Sequence, residues 1–236
     1  MDHMSALIDQ NSRFADLLRA ADPATPVPTC PGWSLKQLLR HVGRGDRWSA
    51  QIISDRVEGL LDPRDVRDGK PPVDGETAWL LGGPGVLADA IASVGAATEV
   101  WTFLGPRPAE WWVRRRLHEA TVHRADAALA LGQPYELAAD LAVDGIEEWI
   151  DTVAASRQTL DPGVSVHLHT TDVAGEWMIH GEEGRVTWET GHGKGDVAVK
   201  GSAADLFLAL VNRGDDGLEV FGDETVWASW RERARF

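Results

Sequence analysis

One cysteine in 236 residues leaves Cys30 nothing to pair with inside the chain. An internal disulfide is therefore excluded, and the reading is of a protein of the reducing cytoplasm. Cations are scarce too: 23 Lys and Arg face 37 Asp and Glu, a net charge of −14. Such a surface repels phosphate backbones and anionic lipid, so neither nucleic acid nor a membrane is expected as a partner. A small anionic ligand stays compatible with it, because a local Arg cluster can oppose the global sign. No apolar run approaches the roughly 18 residues of a membrane-spanning helix, so none is expected. No basic segment leading into an apolar run opens the chain, so no signal peptide is expected either. Tyrosine is nearly missing, one against eleven Trp, and the tryptophans read as core or interface anchors. What remains is ordinary for a globular chain: 43% apolar and 25% charged residues. The length suffices for one large domain or two small ones, and leaves open whether the chain is a monomer or a small homo-oligomer.

Periodicity supplies the organisation. Residues 5–21 read as an amphipathic helix with Leu7, Phe14, Leu17 and Leu18 on its apolar face. Four prolines between Asp22 and Gly32 forbid a helix there. Ser34, with Gln37 three residues on, has the pattern of a capping box and starts a second helix that carries His41. Residues 59–77 read as a long connection, and a third helix is expected from Gly85 or Val86 to Phe103. A fourth runs from Ala109 to Leu131, where Gly132-Gln133-Pro134 stops it, and a fifth, acidic one from Leu137 to Arg157. Beyond Asp161-Pro162-Gly163 the period drops toward two, predicting strands at 164–168, 176–180, 185–189 and 197–200. A helix capped by Ser202, a strand at 218–221 and a final helix at 224–233 complete an α+β half. These patterns divide the chain into 1–160, helical, and 161–236, α+β.

The chemistry gathers on the fourth helix, in Leu117-His118-Glu119-Ala120-Thr121-Val122-His123-Arg124-Ala125-Asp126. Residues four apart share a helix face, about 6 Å along the axis, so Glu119 and His123 can offer a carboxylate oxygen and an imidazole nitrogen to one divalent cation. The zincin H-E-x-x-H motif is not met, because Glu119 stands where its first His belongs. A further ligand must come from elsewhere. His41, on a helix expected to pack against this one, is the natural third, since bundle interiors assemble metal sites from facing helices. Two His and one Glu suit Zn²⁺ and other first-row divalent metals, and three protein ligands leave room for water or substrate. The plainer alternatives are a hydrogen-bonded core histidine and a surface Glu–His ion pair. Asp126, three after His123, either accepts its free ring N–H or pairs with an Arg on the same helix.

At this point a family comes into view. The stretch Val27-Pro28-Thr29-Cys30-Pro31-Gly32-Trp33, continued by Leu38, His41 and Gly43, resembles the first signature of the mycothiol-dependent maleylpyruvate isomerase family. His118-Glu119, His123-Arg124 and Asp126 resemble its second. Gly201 to Leu206 and Leu218 to Asp223 resemble its C-terminal region, so the likeness runs along nearly the whole chain. It implies a DinB-like up-and-down helical bundle followed by a small α+β domain like sterol carrier proteins. It implies a divalent metal, usually zinc, on His41, Glu119 and His123, and mycothiol as the thiol cosubstrate of an isomerase or S-transferase. A thiol of pKa about 8.5 is mostly protonated at neutral pH, and coordination to a cation deprotonates it. In maleylpyruvate, the implied small electrophile, the thiolate adds to the cis double bond; rotation and elimination then give the trans isomer. Arg213 falls where relatives carry an Arg that reaches the active site, suited to a substrate carboxylate; a helix C-terminal Arg favoured by the dipole is its plainer reading. Ala125 departs from the bulky residue often found there.

Other candidates read as structural. Cys30 precedes Pro31 in a turn with no adjacent base in the sequence. His167 and His169 share a strand face, but without a third ligand nearby they read as solvent-facing. Gly191-His192-Gly193-Lys194-Gly195 lacks the Ser or Thr of a phosphate loop and reads as a hairpin turn. Arg114-Arg115-Arg116 reads as a solvated face. Two rivals to a thiol-using enzyme remain: a metal-dependent hydrolase with water in the open position, and a non-catalytic metal- or small-ligand-binding protein.

Overall fold

The structure, a computed structural model, describes residues 1–156 and 158–234. The chain forms two compact units, Met1–Tyr135 and Glu136–Phe236.

Four helices build the first unit: α1 (His3–Leu18), α2 (Leu35–Ser54), α3 (Glu76–Val94) and α4 (Trp111–Leu131). Two-residue strands β1 (Glu99–Val100) and β2 (Arg107–Pro108) pair antiparallel between α3 and α4. In the packing, α2 lies on α3 and α1 on α4, with α1–α3 and α2–α4 closing the bundle. Leu7, Phe14, Leu38, Val42, Leu80, Leu87 and Leu117 are fully buried and form its core. The expected capping box opens α2: Ser34 N–H donates to Gln37 Oε1 at 2.8 Å. Gly132, at φ +61°, closes α4 in the left-handed conformation. Tryptophans 48, 101, 111 and 112 pack edge-to-face, with centroid distances of 5.0 to 6.2 Å.

The third helix departs from expectation at both ends. It begins at Glu76, nine residues early, and runs through Gly82-Gly83-Pro84-Gly85. Contacts decide this against propensity. A Cβ on Gly83 would sit 2.5 Å from Asp46 Oδ2, and one on Gly43 would sit 2.3 Å from the Trp79 ring. These glycines are what let α2 and α3 approach. The helix stops at Gly95, φ +96°, rather than at Phe103. By length and composition α3 would pass for a membrane span; here it packs on α2, with the Arg47 guanidinium 4.3 Å from the Trp79 ring.

The second unit opens with α5 (Ala139–Ser156), whose expected last residue, Arg157, lies outside the described residues. A five-stranded sheet follows: β3 (Ser165–Thr170), β4 (Glu176–Glu182), β5 (Arg185–Thr190), β6 (Val197–Gly201) and β7 (Glu219–Gly222). Helices α6 (Ala203–Leu210) and α7 (Glu224–Arg233) complete the unit. Strand order is β5-β4-β3-β6-β7, antiparallel except for the parallel β3–β6 pair. Helix α5 packs on β5 and α6, so it belongs to the second unit. The change of period at residue 161 marks a change of secondary structure, and the packing boundary lies one helix earlier. Trp177 and Trp188 donate their indole N–H groups to Glu147 and Asp151 of α5, tying that helix to one sheet face.

The single tyrosine gives this packing a spectroscopic handle. Tyr135 donates to the Thr121 carbonyl at 3.1 Å and carries the Arg124 guanidinium over its ring. Burial pushes its phenol up to about 12 from 10.0, the Arg124 charge offsetting only part. Ultraviolet titration of the native chain is therefore expected to show one tyrosinate transition near pH 12, and the denatured chain one near 10. The proton is held more tightly in the folded state, so this contribution to stability is complete below pH 10 and is lost as pH rises toward 12. A native midpoint of 10 would contradict the packing.

Candidate metal centre

The segment before α2 is a tight loop whose shape follows from its sequence. Val27 N–H donates to Trp33 O at 2.9 Å and Leu35 N–H to Thr25 O at 3.0 Å, closing its base. Within it, Trp33 N–H donates to Cys30 O at 3.0 Å across Pro31-Gly32. Gly32 has φ +83°, which the third residue of a type II turn requires. This turn directs Thr29, Cys30 and Trp33 toward α4.

Their target is Asp126, which is fully buried. One of its oxygens accepts from the Thr29 hydroxyl. The other accepts from the Cys30 thiol at 3.4 Å and lies 2.8 Å from His123 Nδ1. Asp126 thus orients the His123 ring, as one of the two sequence readings has it, and leaves Nε2 available. Cys30, which has no base beside it in sequence, has this carboxylate in space.

His41, Glu119 and His123 come together from α2 and α4. Their ligand atoms lie within 4.8 Å of one another. His41 Nε2 is 2.7 Å from Glu119 Oε1, and the two imidazoles meet edge-to-face with centroids 4.8 Å apart. Trp33 walls the cluster, its ring 4.9 Å from His41 and 6.4 Å from His123. His118, next to Glu119 in sequence, is buried and stands outside the trio.

Two members of the trio have shifted electrostatics. Burial alone would raise the Glu119 carboxyl, but the Arg116 charge and the His41 hydrogen bond outweigh it and hold Glu119 well below the usual carboxylate range. Burial lowers His123, the Asp126 hydrogen bond offsetting part, so its imidazole is neutral at neutral pH, the form a metal binds.

Arg116 corrects the expectation of a solvated arginine face. It is 3% exposed and Arg115 is 8% exposed. Arg116 Nε donates to Asp46 Oδ1 at 3.0 Å, Nη2 to Val42 O at 3.0 Å, and Nη1 lies 2.9 Å from Glu119 Oε2. Asp46 accepts a further bond from Asn11 Nδ2 at 3.0 Å. One guanidinium therefore joins the α2 backbone, the buried Asp46 and the Glu119 carboxylate. Sequence reasoning passed over this network, although Arg116, Glu119 and His123 fall on one helix face at spacings of three and four.

Arg213 belongs to the second unit, just past α6. Its N–H donates to Leu208 O at 2.7 Å and its Nη1 to Val211 O at 2.6 Å, in a helix end where Asn212 takes φ +59°. His167 and His169 also depart from expectation, since His167 is 5% exposed rather than solvent-facing and the pair has close company in Glu176 and His192.

The fold has known counterparts. The chain resembles the crystal structure of a mycothiol-dependent maleylpyruvate isomerase at TM-score 0.60 and 16% identity, over 93% of this chain and 91% of that one. A mutant of a mycothiol-dependent maleylpyruvate isomerase gives TM-score 0.64 at the same identity and coverage. Comparison with curated proteins gives no match. The model of the mycothiol maleylpyruvate isomerase N-terminal domain matches residues 4–128, and that of the corresponding C-terminal domain matches residues 140–229. The chain is thus a member of the mycothiol maleylpyruvate isomerase family.

Proposed function

We propose that this protein is a metal-dependent enzyme that uses mycothiol as its nucleophile, an isomerase or S-transferase acting on a small electrophile such as maleylpyruvate. The observation that carries the reading is the convergence of His41, Glu119 and His123, with ligand atoms within 4.8 Å. The donor set fits a divalent metal such as Zn²⁺, because it joins a carboxylate held ionised to two imidazole nitrogens, with burial keeping that of His123 neutral. A cation there supplies the charge that converts a thiol to a thiolate near neutral pH.

The chain's own residues do the rest. Asp126 fixes the His123 ring, with Thr29 and Cys30 fixing Asp126 in turn. Arg116 keeps Glu119 ionised and aimed. Trp33 covers one side of the trio, its ring packed against both His41 and His123. Arg213 enters from the family resemblance alone, as the group for the substrate carboxylate. In that role Arg213→Gln raises KM for maleylpyruvate more than it lowers kcat.

The test is calorimetric titration of mycothiol into metal-loaded and metal-stripped protein. Saturable binding that requires the metal is expected. Binding of equal strength to both forms, or to neither, overturns the thiol reading. A metal-dependent hydrolase would then show turnover of maleylpyruvate or ester substrates without thiol, and a binding protein none.

A further inference from the structure

The second unit holds another constellation of metal-binding side chains: His167, His169, Glu176 and His192. All four offer ligand atoms within 4.8 Å of one another. His167 Nε2 lies 3.1 Å from Glu176 Oε2, His192 Nδ1 lies 2.7 Å from the same oxygen, and His169 Nδ1 lies 3.8 Å from Oε1. The His167 and His192 rings meet edge-to-face at 5.2 Å. A tetrahedral zinc site with bonds near 2.0–2.1 Å has its ligand atoms about 3.4 Å apart, so a small contraction suffices.

The fold builds this arrangement deliberately. His167 and His169 are two apart on β3, the central strand, and so share a sheet face. Glu176 of β4 is the register partner of His169. His192 arrives by a different route. The segment after β5 is no hairpin: β5 pairs with β4, whereas β6 pairs with β3 on its far side. Residues 191–196 must therefore cross the sheet. Glycines make the crossing possible. A Cβ on Gly193 would lie 2.8 Å from the Met178 sulfur, and one on Gly195 would lie 2.9 Å from the His167 backbone nitrogen. Gly191, φ +141°, donates its N–H to Glu176 O at 2.9 Å and starts the connection against β4. The glycine-rich run is thus a strap pressed onto the sheet, with His192 held over Glu176.

The cluster is also accessible. A depression of about 500 Å³, lined in part by Glu147 and Thr190, opens onto His169, Glu176 and His192.

We propose that His167, His169, Glu176 and His192 form a second metal site, taking a borderline divalent cation such as Zn²⁺ or Co²⁺, which clamps the 191–196 strap to the sheet. Three imidazoles and a carboxylate complete a tetrahedron, so the site is structural, in contrast to the three-ligand trio on α2 and α4. It stands independently of the proposed thiol chemistry.

The experiment titrates Co²⁺ into tag-free, metal-stripped, full-length protein and follows its visible absorption. Wild type is expected to bind two equivalents and His41→Ala/His123→Ala to retain one, with the intense bands of a tetrahedral centre. Adding His169→Ala to that variant abolishes the remaining equivalent. Adding His192→Ala instead, at an exposed loop position that does not threaten folding, weakens it at least about tenfold. Hydrogen exchange over residues 191–196 slows when that equivalent binds. A His41→Ala/His123→Ala protein that binds no Co²⁺ overturns the proposal, and so does binding that ignores both His169→Ala and His192→Ala. One equivalent in wild type that survives His41→Ala/His123→Ala but not His169→Ala supports this site while removing the first.

Discussion

His41→Ala is expected to leave a folded protein that no longer retains stoichiometric metal and has lost thiol-dependent isomerisation by about three orders of magnitude. The size follows from what a cation contributes. Stabilising a developing thiolate is worth several kcal/mol, and about 4 kcal/mol corresponds to a factor near a thousand in rate. The expectation that folding survives follows from exposure, since 30% of the His41 side chain is accessible and only one ring nitrogen is engaged, with Glu119. Truncation therefore removes the proposed ligand without opening a core cavity. Asp126→Asn should do less, roughly 10–100-fold in metal affinity, because it disturbs the ring that binds rather than the nitrogen itself. Metal analysis of dialysed protein, far-ultraviolet circular dichroism and turnover with mycothiol together check the ordering. Full metal occupancy in His41→Ala would remove His41 from the site.

How much of this was legible in the sequence depends on the range of the forces involved. Local signals were read correctly: the capping box at Ser34, the glycine stop at Gly132, the alternation that marks β3 to β6. The Glu119/His123 pairing was legible because helix geometry fixes it within four residues. His41 was reached because two apolar-faced helices must pack, although no rule of spacing dictates which of their residues meet. What escaped depends on contacts between distant segments. The start of α3 lies in a stretch whose glycines and proline argue against a helix; the close approach of α2, demanded by Gly43 against Trp79 and Gly83 against Asp46, overrides them. Arginines in a row look solvated, and it takes Asp46 and the Val42 carbonyl, seventy or more residues away, to give Arg116 its buried partners. His192 could not be joined to His167 without knowing that β6 lies beyond β3, because that strand order turns a presumed hairpin into a crossing strap.

The same long-range logic sets the largest effect on stability. Arg116→Met is expected to destabilise the fold by about 3–5 kcal/mol, because removing one member of a buried ion pair strands the other. Asp46 is fully buried, and burial already pushes its carboxyl up; Arg116 supplies its nearest charge and one of its hydrogen bonds, leaving the Asn11 hydrogen bond and the more distant Arg47 charge in their place. The double variant Arg116→Met/Asp46→Leu should recover part of the loss, as apolar replacements of buried pairs commonly do. Metal affinity should not recover with it. Glu119 still lacks its nearer guanidinium, with Arg115 remaining only at 3.7 Å, so the double variant separates the two tasks of Arg116. Urea unfolding at neutral pH, alongside metal titration of each variant, reads both. A single variant within 1 kcal/mol of wild type would show that the pair is dispensable, and a double variant that regains stability and affinity together would show that Arg116 serves the fold alone.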